Sequence, residues 1–97
     1  MTVIVIRDAA DTAKFDSASD TWTVTTADGR SRSARAVIDA RRSTDATVAV
    51  HGLPNYFRIP GPDTERQIRY VDRCLELLGR SGCTRMEAKS RIVVGRW

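Results

Sequence analysis

The chain has 97 residues and a mass of 10.8 kDa, enough for one hydrophobic core and too little for two, which excludes a multidomain enzyme within it. Hydrophobic residues make up 41% and charged residues 29%, mean hydropathy is -0.34, and no apolar run approaches a membrane span, so a soluble globular domain is expected. The net charge of +4 is unevenly spread: residues 1–40 carry five basic and six acidic side chains, residues 41–97 eleven and six. An anionic partner such as nucleic acid would suit the basic half. Arginine outnumbers lysine 14 to 2, however, which reads as a coding bias, and nucleic-acid binding is kept only as an alternative.

Val3-Ile4-Val5-Ile6 is a continuous β-branched run that predicts a first, buried strand. It is too short for a signal sequence and meets Arg7-Asp8 at once, so a cytoplasmic protein is expected. Thr12 to Phe15 leads to the turn-rich Asp16-Ser17-Ala18-Ser19-Asp20. In Thr21 to Thr26, Trp22, Val24 and Thr26 share one face at period 2. Asp28-Gly29 is a hairpin turn signal, and Arg32 to Ile38 is expected as the returning strand, with Ala34, Ala36 and Ile38 on one face. Residues 1–40 thus read as a β-meander.

Residues 46–59 read as short strands, Thr47 to His51 and Tyr56 to Ile59, around a Gly52-Leu53-Pro54-Asn55 turn. After Pro60-Gly61-Pro62 the period changes, and residues 63–79 are predicted helical. Asp63 or Thr64 is the N-cap, Thr64 to Gln67 offers a capping box, and Gly79 stands where a C′ glycine belongs. Ile68, Val71, Leu75 and Leu78 form the apolar stripe, widened by Tyr70, Cys74 and Leu77; Glu65–Arg69 and Glu76–Arg80 are i,i+4 pairs. A terminal strand is expected within residues 84–95.

Two stretches resemble flavin-dependent monooxygenases of the Baeyer–Villiger type. The first is Phe15-Asp16 with Asp20 to Gly29 and Ala34 to Ile38, which is similar to that family's β-meander. The second is more specific: Gly52 to Phe57, Gly61 to Thr64 and Gln67 to Leu75 resemble the family's G-F-P-N-x-F, G-P-N-T and Q-x-R-Y-V-x-R-C-L run in order and spacing. The departures are equally specific. Where the family has an A-T-G-like turn beside the flavin, Asp39-Ala40 runs into Arg41-Arg42. The glycines at 29, 52, 61, 79, 82 and 95 form no G-x-G-x-x-G loop, and the family's glycine- and histidine-containing insert is reduced to Glu65-Arg66. The nicotinamide domain has no counterpart. The resemblance therefore implies a meander and a last helix without either dinucleotide-binding core.

Few residues offer chemistry. His51, the only histidine, has no nucleophile or acid placed beside it by a motif, and Cys74 and Cys83 match neither a zinc pattern nor a disulfide framework. Tyr56 and Phe57 could stack on a planar ring, or form a buried pair beside Pro54 and Pro60. Gly61, Pro62 and Asp63 deliver amides to a helix start, which suits an anion or a flavin carbonyl, but the Asp63 carboxylate would cap that end itself. These five, Tyr56, Phe57, Gly61, Pro62 and Asp63, are the candidate cofactor-binding residues; no catalytic or metal-ligating residue is assigned.

The expected fold is α+β: a small, mainly antiparallel sheet with one long amphipathic helix packed on it. The expected function is that of a flavin-monooxygenase-like remnant, not catalytic alone, acting through self-association or a protein partner. No cofactor is expected, and the apolar stripe points to a homodimer. The alternative is an FAD-binding accessory part completed by another chain, and the second alternative a basic nucleic-acid-binding accessory protein.

Overall fold

The computed structural model describes residues 1–45, 47–80 and 85–87. Their element order is β1 (Val3–Ile6), β2 (Thr12–Asp16), β3 (Thr21–Thr25), β4 (Ser31–Ala34), β5 (Ala36–Asp39), β6 (Tyr56–Arg58) and α1 (Thr64–Arg80). The α+β class and the long helix are as expected. The strands, however, divide between two three-stranded sheets: β2-β3-β4 is an antiparallel meander, and β1-β5-β6 is parallel throughout.

The expected returning strand over 32–38 breaks at Arg35, where the chain changes sheet. Ala34 pairs with Trp22 in the meander, whereas the amides of Arg35 and Ala36 both donate to the Thr2 carbonyl and start the pairing with β1. The meander is therefore narrower than residues 1–40, because β1 and β5 leave it. The reason lies in their composition. Ile6, Ala36 and Val37 are fully buried and Ile4 nearly so, as in a parallel sheet covered on both faces, although Val5 on the helix-side face of β1 is 42% exposed. The chain between β1 and β5 is long enough for the crossover a parallel pair needs, and the whole meander occupies it.

Register then assigns the faces. Ile4, Val37 and Tyr56 lie side by side and pack with Trp22, Val24 and Ala34 of the meander. Val5, Ile38 and Phe57 are the next register set, so they point to the opposite face. There Phe57, with no exposed surface, packs with Val48, Ala49, Val71 and Cys74. The parallel sheet is thus a middle layer, with the meander on one side and α1 on the other.

Helix α1 starts and ends one residue later than expected, so Gly79 lies inside its last turn. Its buried arc is Gln67, Val71, Cys74 and Leu78, which at about 100° per residue spans roughly 60°. Ile68 and Leu77, expected in the stripe, are 45% and 41% exposed on opposite flanks of that arc. Both i,i+4 pairs form, Arg69–Glu65 at 3.0 Å and Arg80–Glu76 at 3.3 Å. The strand expected from Thr47 to His51 is reduced to one antiparallel bridge, Ala49 to Phe57, and an amide bond from Arg58 to the Val48 carbonyl. Of the terminal strand, only Arg85 to Glu87 fall among the described residues, and they carry no strand; Cys83 lies outside them.

Candidate functional site

The parallel sheet sets up two clefts, one on each face at the carboxyl ends of its strands, the position where open parallel sheets hold ligands. The first lies on the helix side. Val5 and Arg7, Ile38 and Ala40, Ile59 and Gly61 are pairs two residues apart that leave β1, β5 and β6 on one face, and Thr64 and Ile68 of α1 close the opposite wall. The cleft encloses about 380 Å³, with apolar walls and the guanidinium-bearing side chains of Arg7 and Arg42 among its lining. Gly61 lets the Arg42 side chain lie against the backbone: its φ is +77°, and a Cβ there would come within 3.2 Å of an Arg42 guanidinium nitrogen.

The start of α1 beside this cleft is closed by its own side chains. Asp63 is the N-cap, its Oδ1 accepting the Arg66 amide at 3.2 Å. No capping box forms, because Gln67 turns back to Gly61, accepting its amide at 2.9 Å and donating to its carbonyl at 3.3 Å. The Pro62 carbonyl accepts the Thr64 amide, and the Gly61–Pro62 peptide is cis. A carboxylate fixed at the helix start repels a phosphate from the place where a helix otherwise attracts one. The cleft therefore offers apolar walls and no seat for a phosphate at the helix start.

The second cleft opens on the meander side. Its centre is a cluster absent from the sequence reading, made of Asp39 at the end of β5, Arg41 two residues on, and Tyr56 of β6. Arg41 holds the Asp39 carboxylate in a fork, Nε donating to Oδ1 and Nη2 to Oδ2, both at 2.8 Å, while the Tyr56 hydroxyl donates to Oδ2 at 2.6 Å. Arg41 also reaches the Asp11 carbonyl at 3.1 Å, which ties the β1–β2 loop to the cluster. Burial alone would raise the Asp39 carboxyl, but the bonds from Arg41 and Tyr56 outweigh it and hold it down at about 2. Burial and the neighbouring Asp39 carboxylate push Tyr56 up to about 12, and the bond to Asp39 raises Arg41 further above its ordinary value. An acid so deeply ionised beside a phenol and a guanidinium so firmly protonated does no proton transfer near neutral pH. The cluster locks loops in place.

The five candidate residues are not gathered into one site. Tyr56 faces the meander, its ring 5.2 Å from Trp22, which in turn sits 5.1 Å from Phe15 and donates its indole N–H to the Pro54 carbonyl at 2.7 Å. Phe57 faces the helix and offers no exposed ring face. Both rings are buried, but on opposite faces of the parallel sheet and in different clusters, so they do not pair with each other. Gly61 lines the helix-side cleft, and Pro62 and Asp63 are exposed at its edge. Cys74 is a buried free thiol whose pKa burial raises, and His51 is exposed. No group of His, Cys, Asp and Glu among the described residues could hold a metal ion.

Only one sequence signal could have revealed the cluster: a carboxylate ending an apolar strand, with an arginine two residues later. A two-residue offset lets the chain turn out of the strand and bring the guanidinium back, and Arg41 uses it, its own amide also donating to Asp39 Oδ1 at 3.1 Å.

No protein-family model matches the chain, and no solved structure matches it. It is similar to uncharacterised proteins of Mycobacterium bovis and Mycobacterium tuberculosis, 52% identical over 42 residues, which cover 43% of this chain. That matched stretch is 12% of the length of these relatives. No helix among the described residues is long and apolar enough to cross a membrane.

Proposed function

We propose that this chain is a flavin-monooxygenase-like domain that turns nothing over alone and supplies one wall of a flavin-ring site completed by another chain. The observation that carries this reading is the helix-side cleft. Val5, Ile38, Ile59 and Ile68 line it at the carboxyl ends of all three parallel strands and give it apolar walls. The ring system would supply electron transfer when bound. The chain's own residues would hold its apolar faces and exclude water from them, with Arg42 at the rim for a ring carbonyl. The phosphate-bearing arm would have to be held elsewhere, since Asp63 occupies the helix start and no glycine-rich loop exists in the sequence.

Fluorescence titration of the purified chain with riboflavin and with FAD tests the reading. The expected result is weak, saturable quenching with the two affinities within about threefold, because the pyrophosphate adds no contact. Ile68→Arg should weaken both equally. Tight binding of FAD over riboflavin, or no quenching at millimolar riboflavin, would overturn it.

A second reading, self-association, is favoured by the edge of the parallel sheet: β1 is paired on one side alone among the described residues, and Val5 upon it is 42% exposed.

A further inference from the structure

The meander-side cleft shares Arg42 with the helix-side cleft and otherwise has its own lining and a different chemistry. It encloses about 530 Å³, within the range of small-molecule sites, and three guanidinium-bearing side chains line it, Arg41, Arg42 and Arg58. Arg41 is already consumed by Asp39 and the Asp11 carbonyl. Arg58 is not consumed in the same way. Its side chain is 20% exposed and its one ion pair, 3.3 Å to Asp45, is with a carboxylate that is 62% exposed and already accepts the amide and hydroxyl of Thr47. An ion pair to so exposed a carboxylate is screened by water and exchanges for another oxyanion. Arg42 makes no hydrogen bond or ion pair with any other described residue. Ser43 accepts the Asp45 amide and keeps its own hydroxyl proton to donate.

Opposite these groups the wall is apolar, built from Val50 and Leu53. Arg41, Arg42 and Arg58 set against Asp39 and Asp45 leave one positive charge in surplus, which a single negative charge balances. We infer that this cleft binds a small monocarboxylate, its two oxygens taken by Arg42 and Arg58 and its short apolar body laid against Val50 and Leu53. The guanidinium fork matches the planar, two-oxygen head of a carboxylate.

Hexanoate, its neutral analogue hexanamide, and inorganic phosphate serve as probes at constant ionic strength, with the arginine Nε–H signals read by NMR. The expected result is a saturable shift of Arg42 and Arg58 with hexanoate, at least about tenfold weaker binding of hexanamide, and no comparable shift of Arg69 on the exposed helix face. Leu53→Glu, a change at a partly exposed turn residue, should weaken hexanoate by at least about tenfold, whereas Leu53→Met should stay within about threefold. Equal binding of hexanoate and hexanamide, an unchanged affinity in Leu53→Glu, or Arg42 and Arg58 shifting no more than Arg69 would each overturn the inference. Phosphate binding more tightly than hexanoate would overturn the carboxylate assignment. The riboflavin titration reports on Ile68 at the other face, so either reading can fail while the other stands.

Discussion

At the residue scale, the Asp39 carboxylate is the group on which most depends, because it is buried and ionised together. Its folded pKa of about 2 lies below the ordinary 3.8, so the native state gains at every pH above that ordinary value and loses the gain as pH falls from 3.8 through 2. The loss amounts to about 2 kcal/mol and should appear as a drop in denaturant midpoint over that window. Tyr56 titrates in the opposite sense. Raised from 10.0 to about 12, it favours the folded state below pH 10 and ceases to do so as pH rises through 12. Tyr56→Phe should therefore lower stability by about 1 to 2 kcal/mol at neutral pH, remove the alkaline loss and shrink the acid one; an unchanged pH profile would mean that the hydroxyl does not hold the carboxylate. Asn55 shows what residue type alone made legible. Its turn could be read from the Pro-Asn dipeptide, and it does adopt φ +59°. That its side chain is fully buried and accepts the Met86 amide at 2.8 Å could not be read, because the partner lies 31 residues away.

At the element scale, the helix was legible as a helix and less so as a packed face. The period, the acidic cap and both ion pairs were on the surface of the sequence, whereas the rotation of the buried arc was set by the sheet beneath. Gln67 entered the arc in place of Ile68 because the Gly61 backbone offered it both a donor and an acceptor. Gln67→Leu should accordingly be destabilising by about 1 to 3 kcal/mol although it adds apolar surface, since it leaves the buried Gly61 amide without its partner. Ile68→Ala, by contrast, should stay within about 1 kcal/mol, its side chain being half-exposed. Thermal unfolding of the two variants checks the order, and a reversed order would put the apolar stripe, not the polar clamp, in charge of the helix rotation. The strands follow the same logic. Alternation in Thr21 to Thr25 identified the meander, but β1 and β5 have no alternation to read, and a continuous apolar run does not say whether its neighbour is parallel or antiparallel.

At the scale of the whole molecule, the layers depend on a few long-range ties. Arg85 lies over the Phe15 ring at 5.3 Å, pairs with Asp20 at 2.5 Å and donates to the Ser17 carbonyl at 2.9 Å, while Met86 exchanges backbone and side-chain bonds with Asn55. Residues 85–87 thereby strap the meander to the turn before β6. What the layers leave open is the β1 edge. The Thr2 carbonyl accepts from Ala36 and the Ile6 carbonyl from Ala40, so even-numbered peptide oxygens face β5 and the amides of Val3 and Val5 face outward. The exposed apolar residues of the helix, Ile68 and Leu77, lie on opposite flanks of its buried arc and form no single face for a second copy. We propose that β1 pairs with β1 of a second copy, which would extend the sheet while leaving Val5 at the mouth of the helix-side cleft. Light scattering over a dilution series should find a species of twice 10.8 kDa at micromolar concentration. Val3→Pro removes one outward amide at the first residue of an edge strand, a place where proline is tolerated, and should give a folded monomer. A wild-type chain that stays at 10.8 kDa throughout would show that three parallel strands, covered on two faces and bare along one edge, suffice as a monomer.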